Sequence, residues 1–230
     1  MTKDIEKILF LDIETVPVVY RYAELHEGAR ALWDKKWQYN KDISPEQQYM
    51  KAGIYAEFAR VVCIGLGYYD NGKFKVISIS SDNEAEILSR FANVLAEKFN
   101  TYSHFLCAHN GKEFDFPFLC RRFLINGLPL PKLLQLQGLK PWEVKHIDTM
   151  DLWKFGDVKN FSSLNLLAHV FGIPSPKDEM DGSMVGKTYY EDKDLPKIAR
   201  YCSRDVITLA RVYNRFAGLG ELPDEAIIFA

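Results

Sequence analysis

The sequence predicts an α/β domain of three layers, in which a mixed sheet of five strands carries helices on both faces. An apolar strand opens the chain, a hairpin signal at Asp70–Gly72 joins the next two strands, and strand and helix patterns then alternate. The 230 residues, 47% hydrophobic and 26% charged, are enough to bury one sizeable core, and we find no internal repeat or linker. We therefore expect residues 1–230 to form a single domain.

Five segments have the composition of strands. The first, Ile8–Glu14, begins with an Ile-Leu-Phe-Leu run that is apolar on both faces, as expected of a central strand, and Pro17 ends the ladder soon afterwards. The other four are Val61–Tyr69, Phe74–Ser80, Tyr102–Ala108 and Val144–Ile147.

Apolar residues at helical spacing predict helices over residues 83–99, 116–126, 149–155, 162–171 and 195–217. Residues 18–57 interrupt the alternation and have the character of a helical insertion. Within it, Trp33 and Trp37 lie one helical turn apart and predict an amphipathic helix packed on the body of the domain.

Composition excludes several classes of protein. No stretch approaches the roughly 18 apolar residues that a membrane helix needs, and the charged N-terminus lacks a signal-peptide pattern, so we expect a soluble cytoplasmic protein with no membrane partner. The 29 Lys+Arg and 31 Asp+Glu give a net charge of −2, so any nucleic-acid contact has to be local. The 4 cysteines are isolated in apolar runs without a C-x-x-C pair, which is typical of buried thiols in a reducing compartment rather than of structural zinc.

The first motif with chemistry is Asp12-Ile13-Glu14, at the end of the first strand. Because strand side chains alternate, both carboxylates project from one face while Ile13 points to the other. Two like charges this close are tolerated when a divalent cation neutralises them, and carboxylate oxygens suit Mg²⁺ or Mn²⁺. The alternative is a solvated strand end, because so short a motif occurs by accident.

The second motif, Asn110–Asp115, stands where the fourth strand gives way to a helix. Ligands collect at the ends of strands in open α/β sheets, so Asp115 is a second candidate. Its alternative role is that of a helix N-terminal residue favoured by the macrodipole, with Pro117 in the first turn.

The third motif, Tyr201-x-x-x-Asp205, lies on the last long helix. Asp205 falls on the apolar stripe between Cys202 and Leu209, where a carboxylate is costly unless it is paired or metal-bound. Tyr201 reaches the same neighbourhood from one turn earlier. A hydrogen-bonded core Tyr-Asp pair is the alternative.

Taken together, the four acids Asp12, Glu14, Asp115 and Asp205 predict a carboxylate cage for two divalent cations. Such a pair of ions suits in-line attack of water on a phosphodiester. In this order the motifs resemble those of the DEDD superfamily of 3′-5′ exonucleases, in its tyrosine-bearing branch, because the histidine branch has a histidine where this chain has Arg200. The sequence is similar in particular to predicted stand-alone bacterial exonucleases related to the proofreading domain of B-family DNA polymerases, over about residues 8 to 217.

The resemblance implies a ribonuclease H-like fold and a role for each acid. Asp12 would bridge two Mg²⁺ or Mn²⁺ ions, Glu14 and Asp205 would hold the ion that binds the attacking water, and Asp115 would support the other. Tyr201 would orient that water, since a phenol with a reference pKa near 10 is a poor base at neutral pH.

The substrate expected from this resemblance is the 3′ end of single-stranded or mismatched DNA, with release of nucleoside 5′-monophosphates. Stacking and phosphate contacts would hold a frayed end. We expect the contacts to come from Asn110, Phe114, Thr15, Arg121 and Lys177.

Each of these contacts has an alternative. Core packing is the alternative role of the phenylalanines near the second motif, a solvated helix face that of Arg121 and its neighbour Arg122, and a turn that of Asn110. Two alternatives for the whole chain also stay open: RNA 3′-end trimming by the same architecture, and a non-catalytic nucleic-acid-binding relative. The sequence does not identify a protein partner.

Overall fold

The fold is built around a six-stranded sheet with the N-terminal strand near its centre. The computed structural model describes residues 4–40, 42–157, 159–174 and 180–230. The strand order is β5-β4-β1-β2-β3-β6, with β1–β2 and β2–β3 antiparallel and the other pairs parallel. The strands are β1 (Ile8–Pro17), β2 (Ala59–Asp70), β3 (Lys73–Ser80), β4 (Phe105–Ala108), β5 (Ile147–Asp148) and β6 (Ile227–Phe229).

The sheet therefore has one strand more than the five that the sequence predicts. The additional strand, β6, pairs with β3 over only three residues at an edge, and its Ile-Ile-Phe run is too short to show an alternating pattern. β4 begins at Phe105 instead of Tyr102, because Thr101 and His104 form a turn closed by side-chain hydrogen bonds. β5 is displaced towards Asp148, beyond a short 3₁₀ turn.

Helices cover both faces of the sheet, as the fold class predicts. One face carries α3 and α4, and the other carries α8, with α6 packed against it. In the described residues, no helix combines the length and apolarity needed to cross a bilayer. The helices are α1 (Glu27–Trp37), α2 (Pro45–Tyr49), α3 (Glu84–Lys98), α4 (Asp115–Ile125), α5 (Thr149–Lys154), α6 (Leu164–Val170), α7 (Val185–Lys187), which continues as a π-helical turn over Thr188–Asp192, and α8 (Leu195–Ala217).

β1 divides the core into two parts by the alternation of its side chains. Leu11 and Ile13 pack towards α3 and α4, whereas Ile8 and Phe10 pack towards α8. All four are at most 5% exposed. Asp12 and Glu14 continue the second series, so the strand directs them to the side of α8.

The segment 18–57 holds α1 and α2 around the buried Trp33. The Trp33 indole N–H donates to the Pro45 carbonyl at 2.7 Å, and Trp37 packs against it with ring centroids 5.8 Å apart. The two tryptophans thus share one face, as their spacing predicts.

Candidate active site

The carboxylates of Asp12 and Glu14 lie at the end of β1 on the side of α8. Asp12 is half-buried and Glu14 is only 6% exposed. The register between β1 and β2 shifts after Glu14, where β2 contains one extra residue, Val62, as in a β-bulge. The strand alternation therefore brings both acids to one place, while Ile13 enters the opposite core.

Two glycines in β2 allow α8 to approach the sheet closely. A Cβ on Gly65 would lie 2.9 Å from the Cys202 Sγ, and one on Gly67 would lie 2.6 Å from a Val206 methyl carbon. Real Cβ atoms do not approach so closely, so a side chain at either position would push the helix outwards. The glycines thus bring the third motif next to Asp12.

α8 contributes three side chains to this place. The Cys202 thiol donates to the Oδ2 and to the carbonyl oxygen of Asp12, both at 3.4 Å. The Tyr201 hydroxyl donates towards the Asp205 carboxylate, and Asp205 interacts electrostatically with Asp12 and Glu14. The apolar stripe on which Asp205 falls does face the sheet, because Cys202 and Leu209 are both buried in the core.

Asp115 is the first residue of α4 and is 4% exposed. Its carboxylate faces the backbone N–H groups of Asp115 itself and of Ile13, which ties it to β1. The turn before it is held by Asp148, whose carboxylate accepts from the backbone N–H groups of Asn110 (2.9 Å) and Lys112 (3.0 Å). Asn110 has φ 62°, a left-handed conformation that asparagine tolerates better than most residues.

The structure thus brings Asp12, Glu14, Asp115 and Asp205 together, and we call them the carboxylate cluster. Glu14 interacts electrostatically with all three other members, and Asp12 with Asp115 and Asp205. Across residues 4–40, 42–157, 159–174 and 180–230, no lysine or arginine forms an ion pair with any of them. The cluster therefore gathers four carboxyl groups, two buried and two half-buried, that no lysine or arginine of the described residues neutralises.

Burial and mutual repulsion raise the pKa values across the cluster. Burial, then the charges of the neighbouring acids, holds the pKa of Asp12 and of Glu14 well above the ordinary range. Burial raises the pKa of Asp115 to about 7, against the lowering effect of the backbone N–H groups, and that of Asp205 to about 6, against the hydrogen bond from Tyr201. The pKa of Tyr201 is raised by burial and by the adjacent carboxylates, so its hydroxyl stays protonated at neutral pH.

The five residues expected to contact substrate have different surroundings. Asn110 lies in the turn before Asp115, and Phe114 is half-buried against Phe118, with ring centroids 5.3 Å apart. The Thr15 hydroxyl donates to the Gly53 carbonyl at 2.7 Å. Arg121 is exposed on α4, and Lys177 lies outside the described residues.

Arg122, considered with Arg121 from the sequence, does not face solvent. It is 6% exposed, and its guanidinium pairs with Glu84 and donates to the Ala56 carbonyl. Two adjacent arginines on a helix point in different directions, and only the tertiary partner Glu84 explains which of them is buried.

Sequence reasoning missed the contact of Cys202 with Asp12. The signal was present, because Cys202 lies on the same apolar stripe as Asp205 and next to Tyr201 in sequence. It also missed Phe161, a 66% exposed aromatic ring with the Lys154 ammonium 5.1 Å from its centroid. The loop that carries Phe161 is joined to the residue that precedes Asn110, since the His109 ring hydrogen-bonds the Ser162 carbonyl at 2.8 Å.

Comparison with known proteins relates this arrangement to a family. The model of the family described as "Predicted 3'-5' exonuclease related to the exonuclease domain of PolB" matches residues 50–226, a range that includes Asp115, Tyr201 and Asp205 and begins after Asp12 and Glu14. A DNA polymerase of Pyrococcus glycovorans is 24% identical over 170 residues, which are 65% of this chain and 21% of the polymerase.

A solved structure shares the fold. The family B DNA polymerase from the hyperthermophilic archaeon Pyrobaculum calidifontis superposes with a TM-score of 0.56 at 16% identity, over 90% of this chain and 24% of the polymerase. The chain thus has a ribonuclease H-like α/β fold and spans about a quarter or less of the length of either polymerase. The chain belongs to the family of predicted 3′-5′ exonucleases related to the exonuclease domain of PolB.

Proposed function

We propose that this protein is a metal-dependent 3′-5′ exonuclease that hydrolyses the terminal phosphodiester bond of single-stranded or mismatched DNA. The observation that carries the proposal is the carboxylate cluster: two buried and two half-buried acids from three separate elements, with no cation from the described residues to neutralise them. Burying unpaired carboxylates costs free energy. An external divalent cation would offset this cost by compensating the charge of the four acids.

The donor set fits two divalent cations. By the family resemblance, Asp12 would contact both ions, Glu14 and Asp205 would hold one, and Asp115 would support the other. Mg²⁺ and Mn²⁺ prefer such hard oxygen ligands. When bound, these ions lower the pKa of water and stabilise the charge that develops on the phosphate and on the leaving oxygen.

Tyr201 is the hydroxyl donor of the site. Its raised pKa keeps the proton on the hydroxyl, so the side chain is suited to donate a hydrogen bond and not to remove a proton. Its position beside Asp205 supports a role in orienting the attacking water. The protein itself therefore needs to supply no strong base.

The surface near the second motif supports contact with a single strand. Exposed Arg121 offers a cation for a phosphate, and half-buried Phe114 offers a ring edge beside the turn at Asn110. Phe161 adds an exposed ring on which a base can stack. The net charge of −2 means that the protein has no large positive field to attract nucleic acid. Recognition through base stacking and a few local phosphate contacts agrees with this charge.

The test is digestion of single-stranded DNA and RNA, labelled at the 3′ or the 5′ end, with Mg²⁺ or Mn²⁺. We expect the 3′ label to leave first as a mononucleotide and the 5′ label to pass through a ladder of shortening products on DNA. The Asp12→Ala variant should lose at least about 10³-fold in rate, because the ions supply several kcal/mol of transition-state stabilisation. Asp224→Ala, which removes an exposed carboxylate paired with Arg211, is the matched control and should keep the rate.

Three outcomes would contradict the proposal. Equal hydrolysis by Asp12→Ala would remove the carboxylate cluster as the cause. Digestion of RNA alone would favour the 3′-trimming alternative. Binding of either strand without hydrolysis at saturating Mn²⁺ would identify a non-catalytic relative.

A further inference from the structure

A buried thiol lies inside the carboxylate cluster and has no part in the proposed reaction. The Cys202 Sγ is 3.4 Å from the Asp12 Oδ2, and Cys202 is 0% exposed. One carboxylate oxygen each from Asp12 and Glu14 and the Cys202 sulfur all lie within 4.8 Å of one another. These three atoms form a mixed oxygen and sulfur donor set, which Mg²⁺ does not prefer and Zn²⁺ does.

The spacing of the donor atoms agrees with tetrahedral zinc. With Zn–S and Zn–O bonds of roughly 2.3 and 2.1 Å, sulfur and oxygen ligands of one tetrahedral ion lie about 3.6 Å apart. The separation of 3.4 Å between the Cys202 Sγ and the Asp12 Oδ2 is close to this value. An ion could therefore enter between these two atoms with little movement of the β1 and α8 backbones.

Glu14 provides an independent indication of a ligand. Its side chain is buried, and among the described residues no donor or cation forms a hydrogen bond or an ion pair with its carboxylate. A buried carboxylate without a partner is rare in proteins unless it binds an ion. The Cys63 side chain lies beside the Cys202 thiol and accepts a hydrogen bond from it.

We propose that Asp12, Glu14 and Cys202 form a binding site for a thiophilic divalent cation, Zn²⁺, and that its occupation blocks the nuclease. On binding, a Zn–S bond replaces the S–H bond, the thiol proton leaves to solvent, and water completes the tetrahedron. The inhibitory part rests on the proposed function, because Zn²⁺ takes the two carboxylates that the reaction needs.

The first test uses Co²⁺ as a probe of sulfur ligation, with no need for activity. Titration of the metal-free protein with Co²⁺ should produce a near-ultraviolet band from thiolate-to-cobalt charge transfer. The band should persist in Cys120→Ser, the matched control, because the half-buried Cys120 lies on α4 and its thiol donates to the Leu134 carbonyl. It should disappear in Cys202→Ser.

The second test measures Zn²⁺ itself. Cys202→Ser should weaken Zn²⁺ binding at least about tenfold, since the loss of even an outer ligand contact costs that much. Micromolar Zn²⁺ should inhibit Mn²⁺-dependent hydrolysis in the wild type, and the concentration giving half inhibition should rise in Cys202→Ser by the same factor. X-ray absorption of the wild-type zinc complex should show one sulfur ligand at about 2.3 Å, which keeps the proposal testable if the variant fails to fold.

The absence of a cobalt–thiolate band in the wild type would overturn the proposal, as would a shell of oxygen and nitrogen alone around zinc. Unchanged Zn²⁺ affinity in a folded Cys202→Ser would overturn it too. A protein that shows the band but no hydrolysis with Mn²⁺ would retain the zinc site and disprove the nuclease instead.

Discussion

Two groups of charged side chains differ in whether the protein compensates their charge. Glu84 is 8% exposed and accepts hydrogen bonds from the Val61 backbone N–H, the Arg122 guanidinium and the Asn126 amide. Arg122 completes the arrangement by donating to the Ala56 carbonyl at 2.7 Å. The carboxylate cluster holds four acids, yet no described cation pairs with them.

This difference distinguishes a structural charge pair from the site that we propose as functional. The Glu84–Arg122 pair neutralises itself and satisfies its donors, so it joins α3 to α4 and needs nothing from solution. In the carboxylate cluster, burial raises the pKa values of the acids. The cluster therefore becomes neutral only when it binds protons or cations from solution. The same type of side chain therefore stabilises the fold in one region and, by our proposal, binds ions in the other.

The largest effect on stability is expected at the self-neutralised pair. Arg122→Leu leaves Glu84 buried without a counter-charge and should lower the free energy of unfolding by about 3–5 kcal/mol. Urea denaturation in the absence of divalent cations measures it. Arg121→Leu, the same change at the exposed neighbour, should stay within about 0.5 kcal/mol of the wild type. Equal effects of the two substitutions would mean that the pair contributes nothing beyond an ordinary surface charge.

A smaller effect, on rate alone, is expected at Tyr201. Under the proposed function, Tyr201 would position the attacking water without holding an ion, so Tyr201→Phe should lower the hydrolysis rate about 10- to 100-fold, or by about 1.4–2.7 kcal/mol. The affinity for Mn²⁺, measured by titration calorimetry, should not change. A loss of Mn²⁺ affinity in Tyr201→Phe would show that protein donors, and not ions alone, compensate the cluster.

The same substitution should act with opposite signs in the two regions. Glu14→Gln removes one of several repelling charges, so at pH 8 with a chelator it should raise the free energy of unfolding, by on the order of 1.4 kcal/mol for each unit by which the pKa is shifted. Glu84→Gln should lower it, because Arg122 then lacks its counter-charge. Thermal or chemical denaturation measures the stability of both variants. Destabilisation by Glu14→Gln in metal-free buffer would show that the protein already compensates the charge of the carboxylate cluster.

The smallest effect of the same repulsion is expected in the pH dependence of stability. The folded protein raises the pKa of Asp115 to about 7 and of Asp205 to about 6, so only well below the ordinary pKa of 3.8 are both groups protonated whether the chain is folded or not. Between about pH 4 and 7 the folded state binds more protons than the unfolded state, so stability contributed by these groups is lost as the pH rises. The melting temperature of the metal-free protein should fall over this range, less steeply in Asp115→Asn, and saturating Mn²⁺ should offset the fall above pH 7. A melting temperature that rises from pH 5 to 7 in both proteins would contradict these assignments.

Local patterns were sufficient to predict much of the fold and the convergence of the site. The alternation of β1 places Asp12 and Glu14 on one side, and the stripe of α8 turns Asp205 inwards beside Cys202. Both follow from the periodicity of a single element, which sequence records directly. The α/β class and the helices on both faces of the sheet were predicted from patterns of the same kind, and the structure confirms them.

Features that depend on remote partners could not be predicted. Nothing in residues 116–126 shows that Arg122 is buried and Arg121 exposed, because the reason is Glu84 on another helix. β6 forms only because β3 offers an edge, and its three residues carry no pattern of their own. The close contact of Cys202 with Asp12 depends in turn on the two glycines of β2.

The most direct test of the carboxylate cluster is anomalous diffraction from crystals soaked with Mn²⁺ and a nucleoside 5′-monophosphate. We predict two manganese peaks among the four carboxylates, both in contact with Asp12, and no peak in crystals of Asp12→Ala. An empty cluster at saturating Mn²⁺, or manganese bound only elsewhere on the molecule, would contradict the account.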